Sequence, residues 1–187
     1  MSKRRVAVIG CGVVGAMIAY ELAQVPALDV LVFDQQQTPA QGSTGAALGI
    51  LMGIISHKVK GRTWRLRKTS ITRYHTLIPE LEAQLSRVVP FNQQGILSLC
   101  FESEQLPRWE ALQAKRHAQN WPLEIWSPQQ LHSRCPHIQT DNVQAAIYSP
   151  QDGQVHPVDL TLALVEAAQQ NGATFHWHTA VQDFTPQ

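Results

Sequence analysis

Three glycines and one acid are the residues of this chain whose types and spacing point most directly to chemistry. Gly10, Gly12 and Gly15 form a G-x-G-x-x-G turn between an apolar run at 6–9 and an apolar helical segment. The glycines permit a tight turn, let a pyrophosphate approach the backbone and let helix and strand pack closely. Asp34 ends a second apolar run about 20 residues after Gly15, the spacing of an acid that holds a ribose hydroxyl. The pattern predicts a binding site for an adenine dinucleotide.

Neighbouring residues extend this candidate site. Val13 and Val14 begin the predicted helix, whose free N–H groups and positive dipole end favour an anionic diphosphate. Gln35 directly follows Asp34 at the end of the second predicted strand, and we include it among the cofactor contacts. Cys11 lies inside the glycine turn, where packing against the sheet is the simplest interpretation of its side chain.

A second candidate segment, residues 41–53, is dominated by small residues and has hydroxyl groups near its start. Small residues let a backbone lie against a flat ligand, and the hydroxyls of Ser43 and Thr44 can donate to phosphate oxygens. The alternative is a glycine-rich loop beneath a helix. Because the segment follows a dinucleotide-binding unit, we expect it to contact the cofactor.

The elements that must position these residues alternate between strand and helix. The first strand, 6–9, is expected to be buried because it is short, β-branched and continuously apolar. The first helix should bury a stripe of Val14, Met17, Ile18 and Leu22. Strands are predicted at 6–9, 28–33, 95–101, 145–148 and 174–178, and helices at 13–24, 63–86, 106–119 and 157–170, with a short helix beginning at Pro128.

Composition sets outer limits on the function. The 187 residues allow one domain or one and part of another, and the net charge of +1 gives no reason to expect a nucleic acid or a membrane surface as partner. No apolar stretch is long enough to span a bilayer. The three cysteines are far apart and form no C-x-x-C pair, which fits a reducing cytoplasm.

Several features allow more than one interpretation. The basic run from Lys58 to Arg73 contains no acid and is expected to be a solvated face, with steering of anionic substrates or contact with nucleic acid as alternatives. His57 is a candidate for a role on the substrate side. His176 and His178 share one face of a predicted strand but have no third ligand nearby in sequence, so no metal site is predicted.

The order of motifs resembles the N-terminal half of FAD-dependent amine oxidoreductases of the D-amino-acid oxidase type, the family of glycine oxidase and sarcosine oxidase. Four stretches carry the likeness: Val6 to Asp34; Ser43 to Leu51; Gly95 to Leu97 with Trp126 to Pro136; and Asp152 to Leu160 with Gly172-Ala173 and Thr179 to Val181. The fourth is the most specific, because its strand, Pro-started helix, Gly-Ala and closing Thr-x-Val follow the family's order.

The resemblance implies an α/β fold, a Rossmann-like FAD-binding domain with a parallel sheet and flanking helices, interrupted by the beginning of an α+β substrate domain. The FAD-binding domain would comprise 1–80 and, continued but incomplete at the C-terminus, 151–187. The substrate domain would begin at 81–150. Only about half of the family's usual domain content is covered, so a longer or a separate chain would supply the C-terminal half.

Individual cofactor contacts follow from the resemblance. Gly10, Gly12 and Gly15 would contact the pyrophosphate and Asp34 the adenosine ribose, although glutamate is the commoner family choice at that position. Further contacts are implied for Ser43, Thr44 and Gly45 at the phosphates, for Ala47, Gly49, Ile50 and Leu51 near the isoalloxazine, and for the backbone of Val181 at the adenine. The arginine that pairs with the substrate carboxylate lies in the missing half of the family pattern, so no catalytic residue is assigned.

The activity implied is oxidation of the C–N bond of a small-molecule amino acid or secondary amine, with hydride transfer to the flavin. Two alternatives stay open. One is a truncated or split-protein fragment that cannot hold FAD alone, and the other is an NAD(P)-dependent dehydrogenase that uses the same first motif. The sequence does not distinguish an oxidase from a dehydrogenase.

Overall fold

The computed structural model describes residues 3–183 and 185. In chain order the strands are β1 (Arg4–Ile9), β2 (Leu28–Phe33), β3 (Ile50–Leu51), β4 (Phe91–Asn92), β5 (Ile96–Cys100), β6 (Glu124–Trp126), β7 (Ala145–Ser149), β8 (Gly153–Val155) and β9 (Thr174–His176). The α-helices are α1 (Val13–Ala23), α2 (Gly61–Leu85), α3 (Leu106–Ala118), α4 (Pro128–Arg134) and α5 (Pro157–Gln170). A 3-10 turn at Ser103–Gln105 leads into α3.

The chain divides into two compact units. The first combines the described parts of 1–49, 77–90 and 155–187, and the second combines 50–76 and 91–154. Helix α2 contributes its C-terminal part to the first unit and its N-terminal part to the second.

The first unit is built on a parallel sheet with the strand order β1–β2–β9. Val6 lies opposite Val30 in the pairing of β1 with β2, and Leu31 lies opposite Thr174 in the pairing of β2 with β9. Helices α1 and α5 pack against each other, and α1 also contacts β2. Strand, crossover helix and parallel strand therefore follow one another as the sequence predicts.

The predicted buried stripe on α1 is wrong. The helix buries Ala16, Ala19 and Tyr20, whereas Val14 is 69% exposed and Ile18 is 44% exposed. The helix is apolar on nearly every side, so its periodicity does not distinguish the face that packs against β2 and α5 from the opposite face.

The predicted burial of the first strand is also wrong. Strand β1 lies at the edge of its sheet, Val8 is its only buried residue, and Ile9 is 64% exposed. An edge strand has unpaired N–H and C=O groups along one side. Within the described residues, β1 therefore combines an apolar strand sequence with an open edge.

Helix α5 has the predicted bounds. Pro157 lies in its first turn, and the His156 imidazole accepts a hydrogen bond from the Asp159 N–H at 3.3 Å. The helix is followed by Asn171 and by Gly172, which has a φ of 97°. The predicted helices near α2, α3 and α4 are present with shifts of one or two residues, and Ser127 caps α4 through a capping box.

The second unit contains the antiparallel sheet β5–β7–β6 and a sheet of order β3–β8–β4, in which β3 and β8 are antiparallel; Val155, the last residue of β8, belongs to the first unit. One of its cores is centred on Ile54, Trp64, Leu123 and Ile147, and a second core includes Trp126 and Leu131. Strands β3, β4, β6 and β8 were not predicted because segments of two or three residues are too short to show an alternating pattern.

A buried acid holds the loop that follows β3. The Asp152 carboxylate accepts hydrogen bonds from the backbone N–H groups of Gly53, Ile54 and Ile55 at 2.7, 3.0 and 2.8 Å, and from the Ser149 hydroxyl at 2.8 Å. Asp152 itself is 1% exposed. The interactions compensate for the loss of water around the buried charge.

A buried base holds the carbonyl groups of the same loop. The Arg116 guanidinium donates to the carbonyls of Ile54 at 2.8 Å and Ser56 at 2.6 Å, with longer contacts of 3.2 Å to those of Gly53 and Lys58. Its charge lies 3.8 Å above the Trp64 ring. Burial lowers the pKa of Arg116, whereas Asp152 acts in the opposite direction.

We expect Asp152→Asn to destabilise the second unit by about 2–4 kcal/mol, because an amide N–H₂ would face backbone donors that need an acceptor. Four of the five tryptophans, Trp64, Trp109, Trp121 and Trp126, belong to this unit, so urea unfolding followed by tryptophan fluorescence measures the loss. Asp141→Asn, at an exposed turn, is the matched control. Equal unfolding midpoints for the two variants would contradict the role given to Asp152.

Candidate cofactor site

The glycine turn joins β1 to α1 with the geometry that its sequence requires. Gly10 has a φ of 92°, a value that side chains rarely tolerate, and its N–H donates to the Phe33 carbonyl at 2.8 Å. A Cβ on Gly15 would overlap the Gly10 carbonyl oxygen. The first and third glycines are therefore required by backbone conformation and by close packing, respectively.

The N-terminus of α1 opens into a groove of about 500 Å³ in the first unit. Gly12 is the N-cap, and the Thr44 hydroxyl oxygen accepts a hydrogen bond from the Val13 N–H at 3.1 Å. The N–H groups of Val14 and Gly15 have no acceptor among the described residues, and no acid lies in the first turn. The groove therefore presents N–H donors and a positive dipole end, which suits an anion.

Asp34 lies beside the turn because β1 and β2 are paired. Its carboxylate accepts the Cys11 N–H at 2.6 Å and the Gln36 N–H at 2.8 Å, one hydrogen bond to each oxygen. Each carboxylate oxygen has a second lone pair that can accept a hydroxyl. Sequence reasoning missed the contact with Cys11, although the ends of neighbouring parallel strands lie at the same edge of a sheet.

Cys11 is fully buried. Burial raises the pKa of Cys11 to about 12, and the negative charge of Asp34 acts in the same direction. The positive dipole end of a helix ordinarily lowers a thiol pKa, but here desolvation exceeds that effect. The packing interpretation of Cys11 is therefore confirmed.

The other predicted contacts are distributed along the chain. Ser43 and Thr44 line the groove with Gly10, Gly12, Val13, Val14 and Gly15. Gly45 and Gly49 belong to the first unit but do not line the groove; a Cβ on them would collide with the carbonyls of Ala40 and Val155. Gln35, Ala47 and Val181 are exposed outside the groove, whereas Ile50 and Leu51 form β3 in the second unit.

The second unit has its own cavity of about 380 Å³, which the sequence did not indicate. Its lining is mainly apolar, and none of its lining side chains is charged. The lining residues are Ile50, Met52, Ile55, Asn92, Gly95, Ile96, Leu97, Ser98, Trp109, Gly153 and Gln154. Such a wall accepts an apolar body and supplies a few polar contacts to orient it.

Residues 3–183 and 185 contain no group of three or more His, Cys, Asp or Glu side chains that could hold a metal ion. No helix in the same residues has the length and apolarity needed to cross a membrane.

A parallel sheet, a crossover helix and a glycine groove at the helix N-terminus define a dinucleotide-binding protein of the α/β class. The sequence also matches the family described as DAO, FAD dependent oxidoreductase, over residues 5–187. The chain belongs to this family of FAD-dependent oxidoreductases, whose cofactor is FAD. The expected fold class and family resemblance are thereby confirmed.

The chain is similar to only part of each relative. It is 28% identical over 184 residues to mitochondrial dimethylglycine dehydrogenase of Rattus norvegicus, covering 96% of this chain and 20% of that protein. It is 27% identical over 180 residues to the mitochondrial pyruvate dehydrogenase phosphatase regulatory subunit of Mus musculus, covering 96% of this chain and 20% of that protein. Glycine oxidase from Bacillus cereus has the same fold over 99% of this chain and 49% of its own, with a TM-score of 0.87 at 22% identity.

Gly15→Ala should destabilise the first unit by roughly 1–3 kcal/mol, since the added methyl group must displace the Gly10 carbonyl or the helix. Gly42→Ala is a matched control, because Gly42 has open space around it and no positive φ. Thermal unfolding followed by circular dichroism compares the two variants. A Gly15→Ala protein as stable as the Gly42→Ala protein would refute the close-packing argument.

With a pKa of about 12, Cys11 should have on the order of 10⁻⁴ of its thiol ionised at pH 8 and should resist alkylation. The half-buried Cys135 should be labelled first by iodoacetamide, as measured by mass spectrometry of the peptides. Labelling in urea, where all three cysteines should react, is the control. Rapid alkylation of Cys11 in the folded chain would show that its thiol is not buried.

Proposed function

We propose that this chain is the N-terminal half of an FAD-dependent oxidoreductase that oxidises the C–N bond of a small amino acid or secondary amine. The observation that carries the proposal is the groove at the start of α1, which N–H donors and Thr44 line, with Asp34 bonded to the Cys11 N–H of the same glycine turn. The substrates named for dimethylglycine dehydrogenase and glycine oxidase support the choice of amines.

The residues of the groove fit the dinucleotide part of FAD. The N–H groups of Val14 and Gly15 would donate to the pyrophosphate, and the absence of a Cβ on Gly12 would let the pyrophosphate approach the backbone. The Thr44 hydroxyl already accepts one N–H and retains its own proton to donate to a phosphate oxygen. Asp34 would accept a ribose hydroxyl while keeping its backbone contacts. We also propose contacts with FAD for the other residues that the family resemblance implies. These residues are Gln35, Ser43, Gly45, Ala47, Gly49, Ile50, Leu51 and Val181.

When bound, FAD would accept the hydride removed from the carbon that carries the amine, leaving an imine that water hydrolyses to a carbonyl compound and ammonia or a primary amine. This chain's own residues would bind the FAD and the amine and orient them. The cavity of the second unit would hold the apolar part of an amine, and its lack of charged walls means that no group in it pairs with a substrate carboxylate. We propose that such a group comes from the other half of the protein.

The open edge of β1 supports the need for that other half. The edge is apolar, it has unpaired backbone groups, and the groove runs along Val6 to Ile9 beside the exposed Val14 and Ile18. We propose that polypeptide beyond these 187 residues, in the same or a separate chain, adds a strand to β1.

We also propose a cytoplasmic location for the protein, because its three cysteines are free.

A non-catalytic role is the second candidate. The pyruvate dehydrogenase phosphatase regulatory subunit is named as a regulatory protein, and its similarity covers 96% of this chain, the same share as that of the dehydrogenase. A chain of this kind would have the fold without retaining FAD by itself.

The experiment is a visible absorption spectrum of the purified 187-residue chain, recorded after incubation with FAD and removal of the excess. We expect a retained flavin band in the wild-type and Gly42→Ala chains and a weaker band in Gly15→Ala. Anaerobic addition of glycine or sarcosine tests the reaction once the other half is supplied, because substrate oxidation bleaches the band and the group that pairs with the substrate carboxylate is proposed to lie in that half. A folded but colourless wild-type chain would favour the non-catalytic candidate.

A further inference from the structure

A smaller cavity of the second unit, about 260 Å³ in volume, has no part in the proposed function. Helix α3 supplies one wall through four residues spaced at i, i+3, i+4 and i+7, which lie on one helix face. The segment after β3 supplies the other wall. The lining residues are Arg108, Ala111, Leu112 and Lys115 from α3, with His57 and Val59 opposite.

The two cations of this cavity are not neutralised. Arg108 and Lys115 are exposed, and among the described residues neither has a carboxylate within ion-pair distance. Their positions are separated by about 10 Å along the helix axis. Between them lie Ala111 and the buried Leu112, whose apolar surface weakens the screening of charge by water.

His57 is the third side chain of the lining that can carry a positive charge. Its ring lies 4.5 Å from the Trp109 ring, and neither ring nitrogen has a hydrogen-bond partner among residues 3–183 and 185. Burial lowers the pKa of His57, and the charges of Arg108 and Arg116 lower it further. Lys115 faces the same cavity, Lys58 is adjacent in the chain, and no carboxylate lines the cavity to oppose these charges.

Arg116 cannot take the place of a ligand-binding cation here. Its guanidinium is fully buried and donates to the carbonyls of the loop that contains His57. Arg108 and Lys115, by contrast, retain their donors. The cavity therefore combines free cationic donors with an imidazole that gains a second N–H donor and a positive charge on protonation.

We propose that this cavity binds a small, doubly charged oxyanion, such as the phosphate group of a metabolite. Arg108 and Lys115 supply charge and hydrogen bonds, and His57 donates a further hydrogen bond when it takes up a proton. The site requires neither FAD nor a second half of the protein, so its test is independent of the proposed function.

Sulfate is the probe, because its double charge stays constant between pH 5 and pH 8. Binding is measured by the ¹H–¹³C NMR signal of His57, identified by its loss in His57→Gln, at an ionic strength held constant with chloride. We expect sulfate to raise the pKa of His57 by about 0.7 unit, and by reciprocity to bind about fivefold more tightly to the protonated form. Affinity should therefore increase as the pH falls through the pKa of His57.

Four variants separate the contributions of the side chains. Arg108→Gln and Lys115→Gln should each weaken sulfate binding roughly three- to fivefold, as expected for partly exposed charges. His57→Gln should remove the pH dependence, as measured by calorimetry, while leaving the affinity at pH 8 unchanged. Arg62→Gln removes an exposed cation of α2 outside the cavity and should have no effect.

Three results would overturn the proposal. Sulfate could shift the His57 titration no more than chloride does, or Arg62→Gln could weaken binding as much as Arg108→Gln. Acetate, which has one charge, could bind as tightly as sulfate, and this would contradict the preference for a doubly charged ligand.

Discussion

The parallel pairing of β1 with β2 is the constraint on which the first unit depends. It places the glycine turn at the end of one strand beside Asp34 at the end of the next, where the carboxylate accepts the Cys11 N–H at 2.6 Å. That hydrogen bond holds the glycine turn in place, and the position of the turn determines where α1 begins. Thr44 then closes one side of the groove by accepting the Val13 N–H. The helix N-terminus can bind an anion because the strands are paired, because Gly10 and Gly15 are glycines, and because Asp34 and Thr44 hold the neighbouring backbone N–H groups.

A different set of interactions, made by two buried charged side chains, orders the second unit. One loop, Gly53 to Lys58, has its N–H groups held by the buried Asp152 and its carbonyls held by the buried Arg116. Each charge satisfies backbone groups that would otherwise be buried without partners, a cost that protein interiors avoid. The same loop contributes Ile55 to the apolar cavity and His57 to the positively charged one. The shape of both cavities therefore depends on two ionised side chains that line neither of them.

The edge of β1 is unusual for a parallel strand. A parallel strand with an apolar sequence ordinarily has a neighbour on each side, because its open edge exposes unpaired backbone groups. Here the edge beside Ile9 is open among the described residues, and the chain spans about half the length of glycine oxidase from Bacillus cereus and a fifth of rat dimethylglycine dehydrogenase. Both observations are consistent with our proposal that further polypeptide adds a strand to β1.

The sequence by itself determined the features that local chemistry encodes. The glycine turn, the strand–helix–strand order and the bounds of α5 were predictable, because backbone conformation, apolar runs and terminal Pro, Asn and Gly residues are local signals. The family was predictable from the resemblance of its motif order to that of known proteins. The division into functional domains and the individual FAD contacts stay predictions. Only the tertiary structure decided which face of α1 is buried, that β1 lies at an edge, and that Asp152 holds a loop 99 residues away. Burial and long-range hydrogen bonds depend on which segments meet in space, and sequence periodicity carries no information about that meeting.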